Sequence, residues 1–273
     1  MEKMKFSVSM CTYGKDNPDW LKTATDSILN GTVTPDEVVL VVDGPVPDTL
    51  DAVISEYEQN PIFKVIRLEK NMGHGEARRI GLENCTNELV ALMDSDDISA
   101  KDRFQKQLEC FAKDSTLAIV GGNITEFIDN PDNIVGKRVV PKTDAEIKAY
   151  LKERCPMNQV TVMFKKSSVT EVGGYIDWFC EEDYYLWIRM YLKGMKFANV
   201  SDNLVNVRVG SEMYDRRGGM KYFKSEARLQ KYMLDNKIIG FGTYFLNVTK
   251  RLIVQVLLPN KIRGWVFKKF ARE

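Results

Sequence analysis

Leu89-Val-Ala-Leu-Met-Asp-Ser-Asp-Asp97 decides how this 273-residue chain is read. Five apolar residues in succession, bounded by polar ones, are the pattern of a strand buried on both faces. The acidic tetrapeptide Asp94 to Asp97 follows at once, where such a strand leaves its sheet. Open α/β sheets bind ligands along that edge. Clustered carboxylate oxygens there suit Mg²⁺ or Mn²⁺; the plainer alternative is a solvated turn capping a helix that starts at Lys101.

Working outward, Phe6–Met10, Val38–Val42, Lys64–Leu68 and Leu117–Val120 are further short β-rich runs. Between them, helices are predicted over Pro18–Asn30, Pro47–Gln59, Gly75–Asn84 and Lys101–Lys113. This alternation is the rhythm of a mostly parallel α/β sheet with helices on both faces. Beyond Asn123 the pattern is irregular, with a turn-rich loop at Asp129–Asn133, a helix at Asp144–Lys152 and a strand at Val160–Phe164. Helical periodicity returns at Gly219–Asn236 and Thr243–Leu258. The expected organisation is one large domain over 1–218, made of halves 1–125 and 126–218, followed by a helical extension over 219–273.

Thirty-nine basic residues against 38 acidic ones leave a net charge of +1, which makes no field to concentrate nucleic acid. Five cysteines without a Cys-x-x-Cys pair predict reduced thiols in the cytosol and no zinc site. The start, Met-Glu-Lys-Met-Lys-Phe, runs straight into a strand and has no signal-peptide character.

Four other stretches carry polar groups suited to the same sheet edge. The first strand ends in Cys11-Thr-Tyr-Gly14 and the second in Val42-Asp-Gly-Pro45. Tyr13 is placed to pack on a base and Asp43 to accept from its ring N–H, although each is also an ordinary strand-to-turn transition. Asn71-Met-Gly-His-Gly-Glu-Ala-Arg78 opens a helix and offers backbone N–H groups, with Arg78 or Arg79, to phosphate. It matches neither the dinucleotide nor the P-loop glycine pattern, and the single histidine, His74, reads as a loop residue. Cys180-Glu-Glu-Asp183 precedes a helix with Leu186, Trp187, Met190 and Tyr191 on its apolar face, so its carboxylates are caps or a general base.

In order along the chain, Cys11-Thr-Tyr, Val42-Asp-Gly, Asn71-x-Gly-x4-Arg78-x2-Gly81, Asp94-Ser-Asp-Asp97, Thr161-Val-Met-Phe164 and Glu182-Asp183-x2-Leu-Trp187 resemble glycosyltransferase family 2. The resemblance spans about residues 5 to 210 and points to the bacterial capsule, exopolysaccharide and O-antigen enzymes, with the GT-A fold and inversion at the anomeric carbon. It implies that Thr12, Tyr13 and Asp43 hold the nucleoside, that Arg78 approaches the donor phosphates, that Asp94 contacts ribose or sugar, and that Asp96 ligates Mn²⁺ or Mg²⁺. Asp183 is then the catalytic base and Glu182 binds the acceptor or orients that base. Arg208, Arg216 and Arg217 are expected to close over the diphosphate from a mobile segment.

Two features depart from the family pattern: Val-Asp-Gly-Pro replaces the more frequent Asp-Asp-Gly-Ser, and Glu181 precedes the Glu-Asp pair. The Gln-x-x-Arg-Trp motif of processive synthases is missing, so one sugar per acceptor is expected. The implied reaction moves a hexose or N-acetylhexosamine from a UDP-sugar to a lipid-linked or growing surface glycan. A sugar-phosphate nucleotidyltransferase and a catalytically silent sugar-nucleotide scaffold are the alternatives. The former calls for a Gly-rich, Arg- and Lys-bearing loop after the first strand, where this chain has Cys-Thr-Tyr-Gly-Lys-Asp16.

Residues 248–273 hold seven cations against the single acid Glu273, a local charge of about +6. Leu252–Leu258 is apolar but far shorter than the ~20 residues a spanning helix needs. With Trp265, Phe267 and Phe270 it suits an interfacial helix on an anionic leaflet, the alternative being a core or oligomer helix. A peripheral position on the inner face of the cytoplasmic membrane is the expectation.

Overall fold

Continuous apolar runs become central strands here because each has a helical layer on both sides. The computed structural model describes residues 4–210 and 218–258. β1 (Phe6–Tyr13), β2 (Glu37–Asp43), β3 (Phe63–Arg67) and β4 (Leu89–Met93) form the parallel half of the sheet, in spatial order β3-β2-β1-β4. Side chains alternate between its faces: Val38, Leu40 and Val42 pack into one core, Val39 and Val41 into the other. The first core lies under α1 (Pro18–Leu29), α2 (Asp48–Glu58) and α4 (Arg103–Lys113); the second lies under α3 (His74–Asn84). Local chemistry sets the helix starts. Asn17 caps α1 through bonds from the amides of Asp19 and Trp20, with Pro18 at the first helical position.

The second half brings in the antiparallel pairings. β8 (Met163–Lys165) lies antiparallel to β4 and to β6 (Leu117–Phe127), β7 (Ile134–Arg138) pairs antiparallel with β6, and β5 (Ile98–Ser99) with β9 (Lys196–Arg208). β6 and β9 run parallel, with register shifts near Gly122 and Asn123 that bend the sheet. The expected strand at Val160–Phe164 starts later, because Gln159–Thr161 form a 3₁₀ turn pinned by the Thr161 hydroxyl to the Asn158 carbonyl at 2.7 Å. β9, thirteen residues long, was not expected at all. Its middle, Ser201-Asp-Asn203, is exposed and reads as a turn, yet the flanks pair with β6 on both sides of the bulge.

α5 (Asp144–Tyr150) opens with a reciprocal capping box between Thr143 and Glu146. After α6 (Lys166–Glu171), α7 (Glu182–Leu192) buries Tyr184, Leu186, Trp187, Ile188 and Met190. The extension comprises α8 (Gly219–Asp235) and α9 (Phe241–Leu252), which continues as a π turn over Ile253–Leu257. Leu229, Met233, Ile238 and Ile239 share a core with Trp187, so the extension has no separate core among the described residues. No described helix is long and apolar enough to cross a membrane.

Candidate active site

Parallel register sets the site's geometry. Tyr13 pairs with Asp43 and Met10 with Met93, so Thr12 and Tyr13 run past the end of β4, alongside the acidic segment. Asp16 locks this arrangement. Its carboxylate accepts from the Thr12 hydroxyl at 2.9 Å, the Tyr13 amide at 3.3 Å and the Ser95 hydroxyl at 2.6 Å. Tyr13 stands at the rim, 42% exposed.

Asp43, buried at the end of β2, holds the phosphate-loop candidate in place. One oxygen accepts from the Met72 amide at 2.6 Å and the other from the Gly73 amide at 3.0 Å, while the Asn71 side chain donates to the Asp43 carbonyl at 3.1 Å. Gly44 makes the crossing possible: its φ is +89°, and a Cβ there would lie 2.6 Å from the Asn71 nitrogen. Gly44→Ala is therefore expected to cost about 1–3 kcal/mol of stability and to raise the KM for the donor, as read by urea denaturation and initial rates. Unchanged stability would show that the loop yields freely.

The acidic segment does not cap a helix. It leads into β5, and the cap position of α4 is Asp102 rather than any residue of the tetrapeptide. Asp94 and Asp96 are half-buried whereas Asp97 is turned inward, accepting from the Arg208 amide at 2.9 Å. Burial, reinforced by Asp96 and Asp94, pushes the Asp97 carboxyl well above its ordinary range. Burial, with Asp94 and then Asp16 nearby, raises Asp96 to about 6. Burial also acts to raise Asp94, but the charge of Arg78 and, less strongly, His74 outweigh it and hold the carboxyl below its usual range.

Arg78, on α3, is the hub. Its side chain is 6% exposed, with Nη2 2.8 Å from Asp94 Oδ1 and Nη1 3.8 Å from Glu182 Oε1. One guanidinium thus links the end of β4 to the start of α7. A second cation lies beneath: Arg103 is fully buried, donating to the Leu92 carbonyl at 2.7 Å and to Gln107 at 3.3 Å. Burial lowers its pKa to about 9, against the pull of Asp94 and Asp97.

Glu182 and Asp183 occupy the first turn of α7. Cap position Glu181 makes no side-chain cap bond there, and the Glu182 side chain turns to Arg78, while Asp183 takes one first-turn amide. Asp183 Oδ1 accepts from the Tyr184 amide at 2.7 Å, and its Oδ2 lies 3.9 Å from the Cys155 sulfur. Burial, then the charge of Asp183, raises Glu182; Arg78 offsets part of this. Glu182 beside the buried guanidinium and the adjacent Asp183 are two carboxylates of a kind suited to general base work.

Arg208 is the last residue of β9 and braces the acidic segment. Its Nε donates to the Asp96 carbonyl at 3.2 Å, its Nη1 to the Asp129 carbonyl at 3.1 Å, and its guanidinium stacks 4.4 Å from Trp20 and 4.6 Å from Phe127. Arg216 and Arg217 lie outside the described residues. Sequence reasoning passed over Asp16, Ser95 and Arg103. Asp16 carried one available signal, as an acid three residues after Tyr13 in a strand-end loop; Arg103, inside the helix predicted over Lys101–Lys113, carried none.

Among the described residues, no three His, Cys, Asp or Glu side chains converge as a ready-made metal cage. Mg²⁺ or Mn²⁺ bound with substrate phosphates and water needs only one or two carboxylates. Asp96, half-buried with Asp94 and Asp16 close enough to raise its pKa, fits that donor set.

The strand-end carboxylate segment is joined through buried Arg78 to Glu182 at the start of α7, on a GT-A fold. Residues 7–173 match the family model "Glycosyl transferase family 2", and the chain belongs to that family. An uncharacterized glycosyltransferase of Haemophilus influenzae is 41% identical over 99% of this chain and all of its own. The UDP-Gal:alpha-D-GlcNAc-diphosphoundecaprenol beta-1,3-galactosyltransferase of Escherichia coli is 38% identical, covering 98% of this chain and 97% of its own. Among solved structures, S. aureus TarS 1–349 in complex with UDP-GlcNAc superposes with a TM-score of 0.67 at 17% identity, over 97% of this chain and 75% of that one, a likeness of fold. The chain is a glycosyltransferase, and it resembles bacterial ones.

Proposed function

We propose that the enzyme moves one hexose or N-acetylhexosamine from a UDP-sugar to a hydroxyl of a lipid-linked or growing surface glycan, with inversion. The observation that carries this is the Arg78 bridge, which joins Asp94 at the donor edge to Glu182, next in sequence to Asp183. Thr12, Tyr13 and Asp43 line the nucleoside side, Arg78 and Asp94 meet the donor's phosphates and sugar, and Arg208 stiffens the segment from beneath. The E. coli relative's name gives a diphosphoundecaprenol acceptor, which supports the lipid-linked acceptor class; a peripheral place on the inner face of the cytoplasmic membrane belongs to the same proposal.

In the reaction, the acceptor oxygen forms a bond to the anomeric carbon as the bond from that carbon to the diphosphate breaks. The diphosphate departs with the electron pair, and Asp183 takes the hydroxyl proton. A divalent ion held by Asp96 would supply positive charge against the leaving diphosphate. Arg208 tethers this stretch directly, its Nε donating to the Asp96 carbonyl and its amide to Asp97.

The test incubates purified protein with Mn²⁺, a panel of nucleotide-sugars and lipid extract, and follows nucleoside diphosphate release. UDP release that depends on acceptor supports the proposal; pyrophosphate release points to a nucleotidyltransferase, and no turnover to a silent scaffold. Chelation is expected to lower the rate on the order of 10²-fold or more, with recovery on added Mn²⁺ or Mg²⁺. A chelator-insensitive rate would remove the metal from the proposal.

A further inference from the structure

α9 and the turn after it are built with the polar side inward. Asn247, Arg251 and Gln255 recur at i, i+4 and i+8 and face the protein. Asn247 donates to Gln230 at 2.9 Å and to the Lys152 carbonyl at 3.0 Å. Arg251 pairs with Glu226 at 3.1 Å and donates to the Glu153 carbonyl at 2.9 Å, and Gln255 also donates to Glu226. The apolar residues face out: Phe241 is 70% exposed, Phe245 59%, Leu246 57%, Ile253 45% and Leu257 65%. A helix lying on a water-soluble protein normally does the reverse. Turning it over would strip Glu226 of its buried cation and leave the two carbonyls without donors, so the apolar row is held outward.

We propose that this row docks on an anionic bilayer, with Phe241, Phe245, Leu246, Ile253 and Leu257 entering the boundary between headgroups and acyl chains. The proposal rests on the lipid-linked acceptor proposed above and names the surface that would meet its membrane. Charge selects the occupant. From Asn236 to Arg272 the chain has no Asp or Glu. Lys237 and Lys250 are its exposed cations among the described residues, Arg251 being engaged with Glu226, and Lys261, Arg263, Lys268, Lys269 and Arg272 follow in sequence. A segment of this charge attracts anionic headgroups and repels a second copy of itself, since a two-fold interface sets like charges together. The inward row also reaches the catalytic end of α7. Glu226 and Arg251 both act electrostatically on buried Glu181, the residue before Glu182 and Asp183. Docking through α9 would therefore hold the carboxylate pair at a set attitude to the membrane.

The test is co-sedimentation of the full chain with vesicles of phosphatidylcholine alone or with phosphatidylglycerol, beside Phe245→Glu/Ile253→Glu. The expected result is binding to the anionic vesicles that weakens in about 0.5 M salt and falls roughly 100-fold in the double variant. Helical circular dichroism and turnover of a detergent-solubilised lipid-linked acceptor should stay at wild-type levels in that variant. A separate variant with the five cations from Lys261 to Arg272 changed to Gln should bind more weakly yet retain the dependence on Phe245 and Ile253. Undiminished binding by the double variant, a wild-type chain that stays in the supernatant, or a wild-type dimer that the variant makes monomeric each overturns the proposal. Vesicle binding without turnover of any lipid-linked acceptor would instead fault the proposed acceptor and leave this surface standing.

Discussion

Asp183→Asn is expected to lower turnover roughly 10²–10⁴-fold, the contribution of a positioned general base, while the protein melts close to the wild-type temperature. Asn keeps the shape and the oxygen that accepts from the Tyr184 amide, so α7 should start as before. What it loses is a proton acceptor at the atom near Cys155. Glu182→Gln should cost less in kcat and more in acceptor KM, because Glu182 meets Arg78 and is the partner that orients or binds. Initial rates for both variants at saturating donor settle the assignment. An Asp183→Asn enzyme with near-normal kcat, beside a dead Glu182→Gln enzyme, would exchange the two roles.

Arg78→Met carries the other large effect, on stability as well as on rate. The guanidinium is almost wholly buried between Asp94 and Glu182. Removing one partner of a buried ion pair leaves uncompensated charge and typically costs about 3–5 kcal/mol, here with two carboxylates stranded. The hydrophobic stem of Met preserves volume, which isolates the charge. Chemical denaturation should show the loss, and Arg78→Lys should recover part of it, since an ammonium restores charge without the planar two-armed reach. A Met variant as stable as wild type would mean that Asp94 and Glu182 are satisfied by solvent.

The repeating strand-helix units were legible because each buried strand of the first half is continuous in sequence and each helix has a local start signal. Asn17 and Pro18 announced α1, and Leu89–Met93 came out with the bounds read from the sequence. Asp94, Arg78 and Glu182, each singled out in the sequence, lie together in the fold, and register brings Tyr13 and the end of β4 to the same edge. β9 was hidden because its Asn, Ser and Asp residues favour turns, and only pairing with β6 makes them a strand. Asp16 was hidden for a related reason: its strongest tie, to Ser95, spans 79 residues. Arg103 was hidden because a cation in an amphipathic helix reads as solvent-facing, whereas the negative charge above it lets the fold bury it. In the extension, helical periodicity was legible, but which side faces inward was not, since partners on α8 and at Lys152 and Glu153 decide it.

The boundary drawn between residues 125 and 126 from sequence falls inside β6, whose eleven residues run unbroken from Leu117 to Phe127 and pair with β7, β8 and β9. The two halves read from the sequence are therefore woven through one strand, with no hinge or linker at that point for recombination to cut. A chimaera spliced at that point would have to match three partners at once. New acceptor preferences in such a chain are reached most readily by point changes and loop exchange around a fixed sheet, and swapping of whole halves is the harder evolutionary route.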